Sequence, residues 1–265
     1  MQTQNPFSLL GRNALVCGSS KGIGRAIAIG MAASGANVTL AARSENELAN
    51  SRNMLDASQG QQHDFLIVDF SKPQELKELV TNRLKTASYH ILVNNTGGPP
   101  PGPLMESREE HFIDAFRNHL LCYHVLATAL VPGMKAAGYG RIINVISTSV
   151  KVPIKGLGVS NTIRAAVANW SKTLSYELAA SGITVNNVLP GATKTQRLDE
   201  IIRTRASKMH MAVADVEKEM IEEIPMGRFA APEEIAAAAV FLASPAAAYV
   251  TGINMPVDGG RTGSL

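Results

Sequence analysis

Three polar side chains that could take part in one reaction lie near the middle of the sequence. Ser147 ends the apolar run GRIINVIS, Ser160 follows thirteen residues later, and Arg164 comes four residues after Ser160. Residues four apart share one face of a helix, so Ser160 and Arg164 lie side by side on the helix that the following residues predict. Two hydroxyl groups and a permanent cation are suited to binding an oxygen that gains negative charge.

A glycine-rich turn lies near the start of the chain, in the stretch CGSSKGIG between an apolar strand and an amphipathic helix. Gly18 allows a tight turn, Gly22 lets the backbone approach a pyrophosphate, and Gly24 lets the helix pack closely on the sheet. The helix N-terminus adds amide donors. We interpret the turn as a dinucleotide-binding loop and not as ordinary turn glycines, because strand and helix flank it as that site requires. The same site takes in Ser20, Lys21 and Ile23.

The end of the second strand, LAAR, indicates which dinucleotide the loop holds. An acidic side chain at this point usually binds a free ribose 2′-hydroxyl, and Ala42 cannot do so. Arg43 and Lys21 place two cations nearby, which favours the 2′-phosphate of NADP(H) over NAD(H). The alternative is that both are solvated surface charges.

Strand and helix signals alternate along the whole chain. The strand segments are short, β-branched and apolar on both faces, which predicts a parallel sheet covered by helices on both sides. The sequence therefore predicts one α/β doubly wound domain over residues 1–265, with seven strands and a polar helical insertion at about 195–224. A long helical segment before the fifth strand is predicted to end or bend at its VPG sequence, because proline disrupts helices.

The composition restricts the class of protein. The chain has 265 residues, 45% hydrophobic and 18% charged, with a net charge of +3 from scattered basic residues. Neither a nucleic-acid-binding face nor a membrane-binding patch is expected from this pattern. The two cysteines, an N-terminus without signal-peptide features and the lack of metal-ligand spacing predict a cytoplasmic protein without a metal site.

These motifs together resemble the short-chain dehydrogenase/reductase family, in its branch similar to 3-oxoacyl-carrier-protein reductases. The resemblance extends from Gly11 to Gly260 and rests on GSSKGIG, VDF, NNTG, GRIINVIS, NNVLPGATKT and PVDGG. It implies a single NAD(P)-binding Rossmann domain that transfers hydride between a nicotinamide cofactor and a small-molecule carbonyl or secondary alcohol. It also implies a substrate lid in the 195–224 insertion and a homotetramer formed through the two long helices and the C-terminal strand.

The resemblance assigns further cofactor contacts residue by residue. Asp69 and Phe70 are expected at the adenine, and Asn95 and Gly97 at the adenosine ribose, with Asn94 supporting the fourth strand. The nicotinamide end is expected to be held by Pro190, Gly191, Thr193 and Thr195.

The catalytic pattern of the family differs from this sequence. The family uses a serine, a tyrosine thirteen residues later, a lysine four residues after that, and an asparagine on the preceding helix. Ser147 matches the serine, whereas Ser160 and Arg164 occupy the tyrosine and lysine positions. Ungapped counting places His119 at the asparagine position, with Asn118 one residue away.

Two functions follow from these substitutions. In an altered reductase, the two serines bind the carbonyl oxygen, Arg164 supplies positive charge, and His119 is the best titratable candidate to relay the proton. The alternative for His119 is a satisfied helix histidine without a catalytic role. The second function is a catalytically impaired NADP(H)-binding sensor or assembly protein. In the insertion, Arg197, Arg203 and Arg205 either attract an acidic substrate or face solvent.

Overall fold

The computed structural model describes residues 5–264; the first four residues of the N-terminal segment and Leu265 lie outside the described part. Seven parallel strands form one sheet in the order β3-β2-β1-β4-β5-β6-β7. The strands are β1 Asn13–Cys17, β2 Asn37–Ala42, β3 Asp64–Ile67, β4 Ile91–Asn94, β5 Gly140–Val145, β6 Ile183–Pro190 and β7 Asn254–Val257.

Helices cover both faces of this sheet. They are α1 Gly22–Ala33, α2 Glu45–Arg52, α3 Pro73–Arg83, α4 Glu109–Phe116, α5 Cys122–Ala137, α6 Gly158–Leu178, α7 Gln196–Met209, α8 Val213–Glu222 and α9 Pro232–Ala243. Helices α1, α2 and α9 contribute to the core on one face, and α3, α5 and α6 to the core on the other. The predicted doubly wound α/β fold with a seven-stranded parallel sheet is confirmed.

The strand sequences explain this two-sided burial. Along β1, Ala14 and Val16 pack in the α1–α9 core, while the alternate residues Leu15 and Cys17 pack in the α3–α5–α6 core. Side chains of a strand point alternately to its two faces, so an apolar run is buried only when both faces are covered. Cys17 and Cys122 are free and buried.

The long helical segment before β5 differs from its prediction. The helix does not end at VPG: α5 continues through Pro132 and stops at Gly138, whose φ of 60° is a left-handed conformation that glycine adopts without strain. Its interruption lies earlier, where Arg117–Leu121 form a π turn between α4 and α5. His119 lies in this turn and is fully buried. π turns are rare and are frequent at functional sites.

The continuous helix Glu109–Ala137 is long and apolar enough, by composition alone, to cross a membrane. Core helices of water-soluble proteins meet the same measure, and here Leu126, Leu130 and Met134 pack into the α3–α5–α6 core. Packing in this core thus accounts for the apolar side chains on that face of the helix.

The residues of the predicted insertion fold into α7 and α8, called the α7–α8 segment below. The segment has a small core of its own, which includes Leu198, Ile202 and Val216. Arg205 of α7 pairs with Glu219 of α8 at 2.9 Å, and this ion pair joins the two helices.

Candidate active site

The predicted functional residues gather at the carboxyl edge of the sheet. β1, β4, β5 and β6 are consecutive parallel neighbours, so the loops that follow them emerge at the same edge. Ligands of doubly wound sheets bind at this edge, at the point where the strand order reverses, which here lies between β1 and β4.

The glycine turn has the close packing that its motif predicts. Gly18 and Gly22 have φ values of +58° and +56°. A Cβ on Gly18 would lie 2.3 Å from the Asn95 carbonyl oxygen, and one on Gly24 would lie 2.2 Å from the Gly18 carbonyl oxygen. Lys21 precedes α1 without a side-chain cap, which leaves the amide donors of the first turn to a ligand. These features fit the pyrophosphate of a dinucleotide.

Asn95 supports this turn with its side chain. Its Nδ2 atom donates to the carbonyl oxygens of Cys17 at 3.3 Å and Gly18 at 3.2 Å. The side chain of Asn95, predicted to contact the adenosine ribose, therefore stabilises the glycine turn by linking it to the end of β4. Gly97, two residues later, has open space around its Cα, so a ligand can approach the backbone there.

The two cations predicted for a 2′-phosphate lie in different surroundings. Arg43 is exposed directly after β2 and near Asp69. The pKa of Asp69 is lowered mainly by the hydrogen bond from the Ser71 amide, and the positive charge of Arg43 lowers it further. Lys21, in contrast, donates to Gln196 Oε1 at 3.1 Å. Arg43 is accordingly the better placed of the two cations.

Phe70 differs from the other predicted cofactor residues, because its side chain packs in the α3–α5–α6 core. Contact with an adenine at this position is thus left to its backbone.

The segment after β6 approaches the glycine turn from the opposite side. The methyl group of Thr195 lies 3.4 Å from where a Cβ on Gly22 would be, and the Thr195 hydroxyl caps α7 by accepting from the Leu198 amide. Thr193 Oγ1 donates to the carbonyl oxygen of Gly191 at 3.1 Å. Pro190, Gly191, Thr193 and Thr195 therefore lie together, next to the turn.

Arg164 is a buried cation on α6, with only 7% of its surface exposed. Its Nη1 atom donates to the carbonyl oxygen of Val145, at the end of β5, at 3.1 Å. Its Nε atom is buried without a hydrogen-bond partner, and no carboxylate pairs with it among residues 5–264. An uncompensated buried cation is costly, so this residue is a strong functional candidate.

His119 is fully buried in the π turn. Its Nδ1 atom lies 2.6 Å from Thr96 Oγ1, and its Nε2 atom has no partner in the described part of the chain. Burial, followed by the charge of Arg164, lowers the pKa of His119 well below 6.5, so the imidazole is neutral at pH 7. A relay that starts from an imidazolium ion is therefore disfavoured, and neutral His119 is better suited to hydrogen bonding.

Sequence reasoning missed Thr96, the hydrogen-bond partner of this histidine, and Tyr123, which in turn bonds to Thr96. Thr96 Oγ1 lies 3.0 Å from the hydroxyl of Tyr123, which is fully buried. Tyr123 follows His119 by four residues along one helical segment, and Thr96 comes directly after β4 and Asn95. The helical spacing could have suggested Tyr123, but the contact with Thr96 depends on the tertiary fold.

The two serines flank the strand end that Arg164 contacts. Ser147 Oγ accepts from the amide of Ser149 at 3.1 Å, and the Ser147 side chain is half-buried. Ser160 lies in the first turn of α6, also half-buried, one turn before Arg164. The structure thus brings the β5 end and the α6 start together, as the spacing predicts.

A cavity of about 550 Å³ opens next to this strand end, a size typical of small-molecule sites. Its lining comes from the β5–α6 loop, the α7–α8 segment and the C-terminal stretch, and includes Thr148, Lys155, Arg205, Met209, Glu223 and Arg261. Arg261 pairs with Glu223. Of the three arginines considered from sequence, Arg205 faces this cavity, Arg203 is exposed, and Arg197 donates to the carbonyl oxygen of Pro99.

Comparison with known proteins establishes the family. A family model described as Enoyl-(Acyl carrier protein) reductase matches residues 18–262. The 3-oxoacyl-(acyl-carrier-protein) reductase FabG of Vibrio cholerae is 33% identical over 257 residues, covering 96% of this chain and 98% of that relative. The chain belongs to the short-chain dehydrogenase/reductase family. Membership in this family confirms the oxidoreductase class.

Solved short-chain dehydrogenase/reductase structures are similar over nearly the whole chain. L-sorbose reductase from Gluconobacter frateurii, complexed with NADPH and L-sorbose, gives a TM-score of 0.91 at 32% identity and covers 98% of this chain and 100% of its own. YwfH, an NADPH-dependent reductase involved in bacilysin biosynthesis, gives 0.90 at 28% identity and covers 96% and 99%. The fold of these solved structures therefore agrees with the fold described above.

Proposed function

We propose that this protein is an NADP(H)-dependent reductase of small-molecule ketones or aldehydes, or the corresponding secondary alcohol dehydrogenase. In its site, Ser160 and Arg164 take the positions that tyrosine and lysine have in the family. The observation that carries the proposal is Arg164, a buried cation at the carboxyl end of β5 that pairs with no carboxylate among residues 5–264. A buried charge is normally compensated, so a cation left uncompensated at the ligand edge of the sheet is suited to a substrate oxygen that gains negative charge.

The cofactor preference rests on the glycine turn and Arg43. The turn fits a pyrophosphate, Ala42 offers no acceptor to a ribose 2′-hydroxyl, and exposed Arg43 can pair with a 2′-phosphate. L-sorbose reductase, which resembles this chain, is complexed with NADPH. When bound, the nicotinamide supplies or accepts the hydride.

The protein residues then stabilise the charge that develops on the substrate oxygen. Ser147 and Ser160 donate hydrogen bonds to the carbonyl oxygen, and Arg164 supplies a nearby positive charge. The proton that completes the alcohol comes from water, which reaches half-exposed Ser160, because neither arginine nor neutral imidazole is an effective acid at pH 7.

The cavity suggests a polar substrate. Its lining includes the cation Lys155 beside Arg205 and Arg261, which form ion pairs with Glu219 and Glu223, and Met209 adds an adaptable apolar surface. This mixture favours a ketone that carries hydroxyl or carboxylate groups. The α7–α8 segment would cover it as a lid, fastened at Lys21–Gln196 and Arg197–Pro99.

A cytoplasmic homotetramer is the proposed assembly. Its support is a shallow apolar groove on α4 and α6, lined by Phe112, Ile113, Phe116, Arg117, Leu121 and Ile163. Phe116 and Ile113 remain 44% and 49% exposed, which is unfavourable unless another subunit covers them. Light scattering at several protein concentrations should give four chains per particle.

The test of function combines binding and turnover. NADPH and NADH are titrated against the protein by nicotinamide fluorescence, and Arg43→Ala should weaken NADPH binding and leave NADH binding unchanged. Turnover is followed by the loss of nicotinamide absorbance with polyol ketones, keto acids and 3-oxoacyl thioesters. Turnover that disappears in Arg164→Met would support the proposal. NADPH binding without turnover across the panel would favour the sensor alternative, and absence of binding would refute both.

A further inference from the structure

Tyr123, Thr96 and His119 form a buried chain of hydrogen bonds that the reaction outlined above does not yet use. Tyr123 OH lies 3.0 Å from Thr96 Oγ1, which lies 2.6 Å from His119 Nδ1. All three side chains are buried, with Thr96 at 9% exposure and the other two at 0%. Their hydrogens must therefore be distributed within the chain itself.

The Tyr123 hydroxyl determines which group donates each hydrogen bond in this chain. Among residues 5–264, Thr96 Oγ1 is the hydrogen-bond partner of the Tyr123 hydroxyl. Burial also raises the pKa of Tyr123 to about 12, so the hydroxyl keeps its hydrogen and needs an acceptor. If the Tyr123 hydroxyl did not donate to Thr96, a fully buried donor would be left unsatisfied, which costs about 1–3 kcal/mol.

The direction of the Tyr123–Thr96 hydrogen bond in turn determines the direction of the bond between Thr96 and His119. Thr96 has one hydroxyl hydrogen, and among residues 5–264 the acceptor within reach of it, once its oxygen accepts from Tyr123, is His119 Nδ1. An Nδ1–H donating to Thr96 would leave that buried hydroxyl hydrogen without an acceptor, so Nδ1 is the acceptor of the neutral ring. The ring hydrogen is then on Nε2, a buried atom without a partner in the described part of the chain.

We infer that Tyr123 and Thr96 are positioning residues that hold His119 as its Nε2–H tautomer, so that the ring presents no acceptor to the Arg164 guanidinium. This inference rests on the proposed reductase function. Arg164 Nε lies near this ring and has no hydrogen-bond partner among residues 5–264, and two donors cannot satisfy each other. The positive charge of Arg164 therefore stays available to the substrate oxygen.

The direct test is magic-angle-spinning nitrogen NMR of the full-length protein labelled with ¹⁵N in histidine. His119 is assigned by the signals that disappear in His119→Gln. The expected spectrum at pH 7 shows a pyridine-type Nδ1 and a pyrrole-type Nε2 for His119. A pyrrole-type Nδ1 would overturn the inference whether or not turnover is ever found, which separates its failure from failure of the proposed function.

Variants test whether the tautomer matters for the reaction. Tyr123→Phe removes the donor that orients Thr96, so the Nδ1–H tautomer should become populated and kcat should fall about 10-fold, with KM and NADPH affinity within about twofold of wild type. Thr96→Val should give a larger loss of kcat, and Thr96→Ser should restore it. Tyr139→Phe is the matched control, because it removes another buried tyrosine hydroxyl, one that donates to the Ala243 carbonyl oxygen at 2.6 Å.

The control should leave both the His119 spectrum and kcat unchanged. An unchanged tautomer in Tyr123→Phe, or an equal loss of kcat in Tyr139→Phe and Tyr123→Phe, would show that the hydroxyl chain has only a structural role and would overturn the inference.

Discussion

Two buried arginines contact opposite ends of strand β5, and neither pairs with a carboxylate among the described residues. Arg141, at the amino end, is 3% exposed and donates to the carbonyl oxygens of Gly140 at 2.8 Å and Gly182 at 3.3 Å. Its guanidinium also lies 4.1 Å from the ring centroid of Tyr139. Arg164, at the carboxyl end, has one carbonyl partner, and within residues 5–264 no aromatic ring lies against it.

This difference in partners indicates that Arg141 is a structural cation and Arg164 a functional one. Carbonyl oxygens and an aromatic face compensate much of the desolvation of Arg141, so the fold itself explains its burial. Arg164 retains an unpartnered Nε and lies close enough to His119 to lower the pKa of that residue. Arg141 also has a buried Nε without a partner, so the orphaned atom alone does not identify a functional residue; its position at the ligand edge does.

The largest expected effect is on the activity of Arg164→Met. Removing the cation should lower kcat by about 100-fold to 1,000-fold, because a positive charge no longer stabilises the substrate oxygen. The free energy of unfolding should stay within about 1 kcal/mol of wild type, because the loss of one hydrogen bond is offset by relief of desolvation. Steady-state kinetics and urea unfolding measure the two quantities.

Arg141→Met should show the opposite result. Loss of the ring contact and of two carbonyl partners should lower the free energy of unfolding by about 1–3 kcal/mol. kcat and KM should remain at wild-type values, because the residue lies at the far end of β5 from the site. Equal effects of the two substitutions on activity would remove the distinction between the two arginines.

The two ends of β5 should also differ in how they make the free energy of unfolding depend on pH, and the effect is expected from His119, near Arg164. The pKa of His119 is lowered in the folded protein, so below about pH 6.5 the unfolded chain binds a proton that the folded chain excludes. Between about pH 7.5 and 5.5 this group should lower the free energy of unfolding by about 1 kcal/mol, and His119→Gln should remove that cost. Urea unfolding at both pH values tests it, with the exposed residue His124 replaced by Gln as the control.

Tyr139, whose ring lies against Arg141, should not change the free energy of unfolding over this pH range. Burial raises the pKa of Tyr139, so this hydroxyl stays protonated throughout that pH range. His90, whose pKa burial lowers, is present in both the wild type and the His119→Gln variant, so its contribution cancels in the comparison.

The smallest effect is expected for Arg12→Gln. The Arg12 guanidinium lies 3.8 Å from the Tyr139 ring centroid and is half-buried, so its loss should cost about 0.5–1 kcal/mol of unfolding free energy. A double-mutant cycle with Arg141→Met measures whether the two cations act on the ring independently. A larger cost than that of Arg141→Met would contradict the assignment of Arg141 as the main structural cation.

The sequence was sufficient to predict the architecture, because strands that are buried on both faces appear as short apolar runs between helical patterns. The seven parallel strands that the alternating apolar runs predicted are all present. The π turn at Arg117–Leu121 was not predictable, since it adds a residue to a helix without changing the helical propensity of the segment. Pro132, the one visible helix breaker, was accommodated inside α5.

The site was predictable in part. Glycine spacing between a strand and a helix predicted the dinucleotide turn, and the close approach of Gly24 to Gly18 leaves no room for a larger side chain there. The roles of Lys21 and His119 depended on neighbours far away in sequence: Gln196 for Lys21, and Thr96 together with Arg164 for His119. Such partners are brought together by the order of the strands, which local pattern does not reveal.

The π turn also sets the rotational phase between the two halves of the long helix. An α-helix advances by about 100° per residue, so one extra residue turns α4 by that angle relative to α5. Deleting a single residue from Arg117–Leu121 would thus not break the helix but would rotate Phe112 and Ala115 away from Val159 and Ile163, with which they pack.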